Sequence, residues 1–382
     1  MLQFLRRILK RRNAPLNIFH ISKNALLNNI DTLRALHPDD GLFPVIKSNA
    51  YGHGLAQIAT ILDETTCEYL CVDSQPEYAI AKKHTSKDFL VLSETNAQNY
   101  KLYDWKRTTF VVSSFSTLSY FVERNKPVTV HIFINTGLNR EWFSEAQMPE
   151  LISILQGAKH IDVEWIMSHL SHADNIDPSY TQKQIDRFKT MHNEFIQGWY
   201  APLYRHIGAS AGTFTIQDPF FTAWRVGKSM YWYSPLPTNH LSYNQTTDLE
   251  PIASITSTVL DIRTIQAWET VWYSGTRTAP QESTIALIPF GYFEWLLRRL
   301  SNKWSVQRKW IYLPLVGNIS MNYCSVDVTG HDVQPWDIVE LFSPDPSAPN
   351  HITKATALLG DIINYEVLTH WNDSIKRVIE KW

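Results

Sequence analysis

Lys47 closes the apolar run Phe43-Pro44-Val45-Ile46 and opens the string Ser48-Asn49-Ala50-Tyr51-Gly52-His53-Gly54. A lysine at the end of a buried strand is a costly place for a charge. Burial favours the neutral amine, and a neutral amine is a nucleophile or a Schiff-base former. The plain alternative is a lysine whose stem lies on apolar surface while its ammonium reaches water. Polar residues follow other apolar runs in the same way. Asn135-Thr136-Gly137-Leu138-Asn139-Arg140 follows one, and Ser168-His169-Leu170-Ser171-His172-Ala173-Asp174 follows another. Gly208-Ala209-Ser210-Ala211-Gly212 and Arg225-Val226-Gly227 follow two more. His169, His172 and Asp174 could supply three metal ligands, but no fourth has convincing spacing, so no metal is expected.

These strings need elements to bring them together. Short apolar or β-branched runs at 42–46, 69–72, 89–92, 109–112, 128–134, 163–167, 204–207 and 223–226 read as eight strands. Helical spacing fills the gaps, as in Leu55, Ile58, Ala59 and Leu62, and again in Ile185, Phe188, Met191 and Phe195. Strands alternating with helices predict a parallel sheet, and eight such units predict an α/β fold of the (β/α)8 TIM-barrel type. An open doubly wound sheet is the second choice, but no G-x-G-x-x-G follows the first strand. In such a barrel the residues just after the strands share one mouth. Small residues at 208–212 and at Gly227 leave backbone N–H groups free for an anion. An activated lysine and an anion cradle together point to pyridoxal 5'-phosphate, which needs both.

After Ser234-Pro235-Leu236-Pro237 the texture changes. Runs at 253–265, 283–289, 310–319, 323–328 and 337–341 are β-rich and punctuated by turn residues, predicting a mostly-β C-terminal domain. The expected division is a basic N-terminal segment at 1–13, a barrel at 14–240 and a β domain at 241–382. The 382 residues carry 35 Lys or Arg against 37 Asp or Glu, a net charge of −2. That balance gives no bulk reason to bind nucleic acid or an anionic membrane. Three cysteines make no disulfide framework, which favours a reducing cytoplasm. The opening MLQFLRRILKRR reads as a short basic surface helix. Glycine is scarce at 14 residues, so its positions are informative.

The chain resembles the alanine racemase family, pyridoxal phosphate enzymes with a (β/α)8 barrel followed by a β domain. The string from Lys47 to Gly54 is close to that family's cofactor-lysine signature. Further anchors are Arg140, Ser168-His169, Ser210, Arg225-Val226-Gly227, Tyr273 in Val271-Trp272-Tyr273-Ser274-Gly275, Gly291-Tyr292, Ser320-Met321 and Ile363-Asn364-Tyr365. The resemblance implies interconversion of L- and D-alanine by two acid–base groups on opposite faces of the α-carbon. Lys47 would carry the cofactor and be one base. Tyr273, from the partner subunit of a homodimer with shared active sites, would be the other. His169 and Arg225 would tune that tyrosine, and Arg225 would also face the pyridine nitrogen. Tyr51, Ser210, Gly227, Lys228 and Tyr365 would hold the phosphate. Arg140 and the backbone of Met321 would bind the substrate carboxylate, and Tyr292, Arg298 and Asp174 would line the entrance.

The departures cluster around the substrate. Phe133 stands where the family often has a lysine modified to a carbamate that steadies the arginine. Asn322 replaces a usual aspartate, and Asn318 a common arginine. These changes leave open racemisation of another small amino acid such as serine, or a cofactor-binding protein with little catalysis.

Overall fold

The computed structural model describes residues 15–94, 96–140, 142–198, 204–360 and 362–382. The basic segment expected at 1–13 lies outside them. The chain forms two compact units. Of the described residues, one comprises those in Asn24–Tyr51 and Leu55–Glu250, and the other those in 15–23, Gly52–Gly54 and Pro251–Trp382.

The first strand, β1 (Asn17–Ser22), corrects the expected division. It does not belong to the barrel. It pairs antiparallel with β10 (Ala253–Thr258) and parallel with β17 (Lys376–Glu380), so it joins the β unit. The other boundary moves from 240 to 250. Buried Asn29, on α1 (Lys23–Leu36), donates to the carbonyl of Glu250 at 2.8 Å and accepts its N–H at 2.7 Å. One amide side chain thus ties the Pro-rich connection back onto the barrel.

The barrel strands are β2 (Gly41–Pro44), β3 (Tyr69–Val72), β4 (Asp88–Val91), β5 (Thr108–Val112), β6 (Val128–Phe133), β7 (Ile161–Met167), β8 (Tyr204–His206) and β9 (Ala223–Val226). The run from β3 to β8 is a continuous parallel sheet, and β2 pairs parallel with β9. The ring closes through two short seams. At one, Ile46 N–H donates to Cys71 O at 2.9 Å, beside a parallel bridge between Val45 and Cys71. At the other, Thr222 N–H donates to Arg205 O at 2.9 Å and Arg225 N–H to Gly208 O at 3.1 Å. Most of these strands are buried on both faces, which is why they read as apolar runs rather than alternating ones, while β8 keeps Tyr204 exposed and Arg205 half-buried. Phe43, Val45, Cys71, Leu90, Val111, Phe133, Trp165 and Met167 fill the interior.

The helical spacings appear as expected. Leu55, Ile58, Ala59 and Leu62 are buried on α2 (Leu55–Leu62), and Ile185, Phe188, Met191 and Phe195 are buried on the long helix Ser179–Gly198. Burying one apolar stripe against the sheet stabilises each helix more than propensity does.

The β unit holds a six-stranded sheet ordered β14-β13-β16-β10-β1-β17 and a three-stranded sheet ordered β11-β12-β15. Its strands after β10 are β11 (Asp261–Ile265), β12 (Ser283–Ile288), β13 (Ser305–Arg308), β14 (Ile311–Pro314), β15 (Cys324–Asp327) and β16 (Ile338–Phe342). Gly52 groups with this unit for a steric reason. Its φ is +82°, and a Cβ there would lie 1.8 Å from the carbonyl oxygen of Leu368.

Candidate active site

The segment that follows β2 is contorted. Ser48, Asn49, Ala50 and Tyr51 all sit near φ +54°, a left-handed turn built from non-glycine residues. Each such residue costs roughly 1–2 kcal/mol. The turn is held open by named contacts. Ser48 N–H donates to Glu77 Oε1 at 2.6 Å, Leu55 N–H to Asn49 Oδ1 at 2.7 Å, and Ala50 N–H to Ile46 O at 2.9 Å. Strain retained in this way is characteristic of functional segments.

Lys47 Nζ lies 3.4 Å from Asp73 Oδ1. Asp73 follows β3 directly, and its Oδ1 also accepts from Ser93 Oγ at 2.9 Å. Sequence reasoning missed Asp73. The signal was present, because the rule that residues just after barrel strands line the mouth also covers β3. Cys71, fully buried on β3, feels both Arg225 and Lys47, yet burial dominates and pushes its thiol up to about 12.

Arg225, on β9 and only 4% exposed, is wired to its surroundings. Its Nη2 donates to Ser168 O at 2.6 Å and to His169 Nδ1 at 3.3 Å, and its Nη1 contacts His206 Nδ1. Burial lowers its pKa to about 10, which leaves it charged at neutral pH. His169 sits among Arg225, Arg140 and Lys47. Burial first, then these three cations, hold it down to about 3. It is therefore a neutral imidazole.

The polar set continues inside the barrel. His206 Nε2 meets His131 Nδ1 at 3.1 Å, His131 Nε2 meets Glu164 Oε2 at 3.3 Å, and Tyr69 donates to the same carboxylate oxygen at 3.0 Å. None of these four stood out in the sequence, because single polar residues inside apolar strands carry no motif.

A cradle lies beside the lysine. Ser210 Oγ accepts N–H groups from Gly227 at 3.1 Å and Ser229 at 3.3 Å. A Cβ on Gly227 would lie 2.5 Å from the Tyr51 hydroxyl, so only glycine leaves that hydroxyl its place. Two hydroxyls and two backbone N–H groups therefore converge, and a phosphate would take over the N–H groups that here donate to Ser210. Tyr51 stays protonated, its pKa pushed up to about 12 by burial, then by Cys71 and Asp73. Lys228 is shifted downward by burial against an opposing pull from Asp174, whose charge it feels. Lysine, anion cradle and fixed guanidinium together fit pyridoxal phosphate.

The β unit carries the remaining expected residues on loops stitched to one another. Tyr273 is 67% exposed, between Trp272 at φ +61° and Ser274 at φ +65°. Asn318 Nδ2 donates to its carbonyl at 2.7 Å. Tyr292 N–H donates to Ser320 O at 3.0 Å and Phe293 N–H to Met321 O at 2.9 Å. Ser301, next to the turn Arg298–Leu300, accepts from Ile319 N–H at 3.0 Å. Tyr273, Tyr292, Arg298 and Met321 are thus presented by one loop cluster. Half-buried Tyr365 lies on the short helix Asn364–Thr369.

A barrel with a strand-end lysine, an anion cradle and a guanidinium-fixed imidazole defines a pyridoxal phosphate enzyme of the barrel type. The family described as alanine racemase, N-terminal domain, matches residues 21–235, and that described as alanine racemase, C-terminal domain, matches residues 252–379. The chain belongs to the alanine racemase family. It is 29% identical to the alanine racemase of Lactobacillus delbrueckii subsp. bulgaricus, over 94% of this chain and 96% of that one. It is 28% identical to alanine racemase 1 of Clostridium acetobutylicum, over 92% of each chain. Among solved structures, the alanine racemase of Clostridium difficile 630 superposes with a TM-score of 0.87 at 24% identity, over 96% of each chain. The alanine racemase of Bartonella henselae with covalently bound pyridoxal phosphate gives a TM-score of 0.81 at 25% identity, over 96% of this chain and 99% of that one.

Proposed function

We propose that the protein is a pyridoxal-phosphate-dependent alanine racemase, working in the cytoplasm as a homodimer whose partner subunit completes each site. The observation that carries this reading is the grouping of Lys47, His169, Arg225 and the Ser210–Gly227 cradle at one barrel mouth. Three buried free cysteines agree with a reducing compartment. Among the described residues no helix is long and apolar enough to cross a membrane.

Lys47 would hold the cofactor through its amine. Tyr51, Ser210, Gly227 and Lys228 would hold the phosphate, joined by Tyr365. When bound, pyridoxal phosphate supplies the electron sink that makes an α-proton removable. The residues do the rest. Lys47 Nζ takes or returns the proton on one face of the α-carbon, and the partner subunit's Tyr273 hydroxyl does so on the other. Arg225 can only donate, so its bond to Nδ1 places the proton of His169 on Nε2. That Nε2–H is a donor suited to a phenolate, which lowers the cost of using a tyrosine as a base. Arg140 and the backbone of the partner subunit's Met321 receive the substrate carboxylate. Tyr292, Arg298 and Asp174 line the approach.

Purified protein loaded with cofactor should interconvert L- and D-alanine, and Lys47→Ala should abolish this. In Tyr273→Phe, incubated in D2O, one enantiomer should keep exchanging its α-hydrogen while the other stops. Full racemisation by Tyr273→Phe would overturn the two-base mechanism. A panel of kcat/KM values over L-amino acids separates alanine from serine.

A further inference from the structure

The loop after β6 leaves the barrel and returns to it. Asn135 N–H donates to Phe143 O at 2.8 Å, and Phe143 N–H donates to Phe133 O at 3.2 Å. Within the loop, Asn135 Oδ1 accepts the N–H groups of Gly137 at 3.0 Å and Asn139 at 3.3 Å, and its Nδ2 donates to Asn139 Oδ1 at 2.9 Å. The returning chain lays Trp142 flat on Phe133. Their ring centroids are 4.7 Å apart with 23° between planes. The guanidinium carbon of Arg140 lies 5.6 Å from the Trp142 ring centroid. Trp142 holds this place at φ +137°, a region a bulky side chain avoids unless its surroundings hold it there.

We infer that Phe133 and Trp142 form an aromatic shelf that positions Arg140 for the substrate carboxylate. The inference rests on the assignment of Arg140 to that carboxylate. An indole face attracts a cation through its quadrupole without neutralising it. A carboxylate support would instead occupy guanidinium donors that the substrate needs. The shelf therefore orients the fork without itself occupying a guanidinium donor. Phe133, 6% exposed and part of the barrel interior, fixes the height and tilt of the indole from below. Trp142 is on this account a positioning residue, acting through Arg140.

The test titrates propionate, a carboxylate without an amine, into the cofactor-loaded dimer, and measures kcat and KM for L-alanine alongside. Trp142→Leu should raise the propionate Kd and the alanine KM by roughly two- to thirtyfold, the span of a cation–π contact from exposed to desolvated. The cofactor absorbance and kcat should change far less, and Trp142→Phe should recover most of the affinity. Phe133→Leu, which tilts the shelf without removing it, should give a smaller loss in the same direction and serves alone if Trp142→Leu does not fold. Arg140→Gln is the control. If it weakens propionate while Trp142→Leu and Phe133→Leu do not, the shelf is overturned and the carboxylate assignment stands. If none of the three weakens propionate, the assignment of Arg140 fails and the shelf fails with it.

Discussion

Arg225 donates from Nη2 to Nδ1 of His169 across 3.3 Å, and from the same nitrogen to the carbonyl of Ser168 at 2.6 Å. The two bonds make the guanidinium a fixed donor on one side of the imidazole. Burial first, then the charges of Arg225, Arg140 and Lys47, keep the ring neutral, with its pKa at about 3. A histidine buried neutral makes stability depend on pH. Between about 3 and its ordinary value the unfolded chain binds a proton that the folded chain refuses, so stability falls as pH drops through that window. Fully buried His206 is shifted the same way, by burial and then by Arg225. Glu77, Glu294 and Glu340, raised by burial, act in the opposite sense, adding stability as pH falls from their raised values to the ordinary carboxylate range. The urea midpoint should therefore fall between pH 7.5 and pH 5.5, and His169→Gln should lose less over the same interval. An equal loss in both proteins would remove His169 from the account.

Gly227 and Tyr51 make a second expectation. A methyl group at position 227 would stand 2.5 Å from the Tyr51 hydroxyl and 2.8 Å from its ring. Gly227→Ala should keep the fold, because the clash is with a side-chain tip. It should weaken cofactor binding about tenfold, the effect of losing one good hydrogen bond to an anion. Equilibrium dialysis against pyridoxal phosphate reads this directly, and unchanged affinity would move the phosphate elsewhere.

Phe133 has no amine to take up carbon dioxide. Its ring is buried against Trp142 instead. Activity of protein depleted of bicarbonate should therefore be unaffected when bicarbonate is restored. A bicarbonate-dependent rise would mean that an amine elsewhere supports Arg140.

Shared sites can be tested by mixing. Lys47→Ala and Tyr273→Phe should each be impaired as homodimers. A hybrid dimer would hold one doubly altered site and one unaltered site. Random exchange makes half the dimers hybrid, so activity should recover to about a quarter of the unaltered level. No recovery, with exchange verified, would place both groups within one subunit.

Most of the eight barrel strands were legible because each is a short apolar run of its own, buried on both faces, with β8 the exception. The site lysine was legible because it breaks such a run at its end. The strand-end rule also pointed to Arg140, His169, Ser210 and Arg225; Arg225 contacts His169, which also feels the charge of Arg140, and Ser210 accepts from Gly227, two residues after Arg225. Tyr273, Tyr292 and Met321 were legible only through the family resemblance, since their loops carry no pattern of their own.

Asp73 at Lys47, His131 and His206 behind Arg225, and the return of Trp142 onto Phe133 were not legible. Each is a contact between residues that local sequence does not connect. The same reason moved β1 out of the barrel. Residues 17–22 have an ordinary strand pattern, and only pairing with residues 253–258 and 376–380 assigns them to the other sheet. The sequence by itself determined which elements form and which chemical groups they carry, because periodicity and strand ends are local. The tertiary structure decided which sheet a strand joins, which nitrogen of His169 holds the proton and which ring lies near Arg140. Those depend on pairings across tens to hundreds of residues that no local pattern encodes.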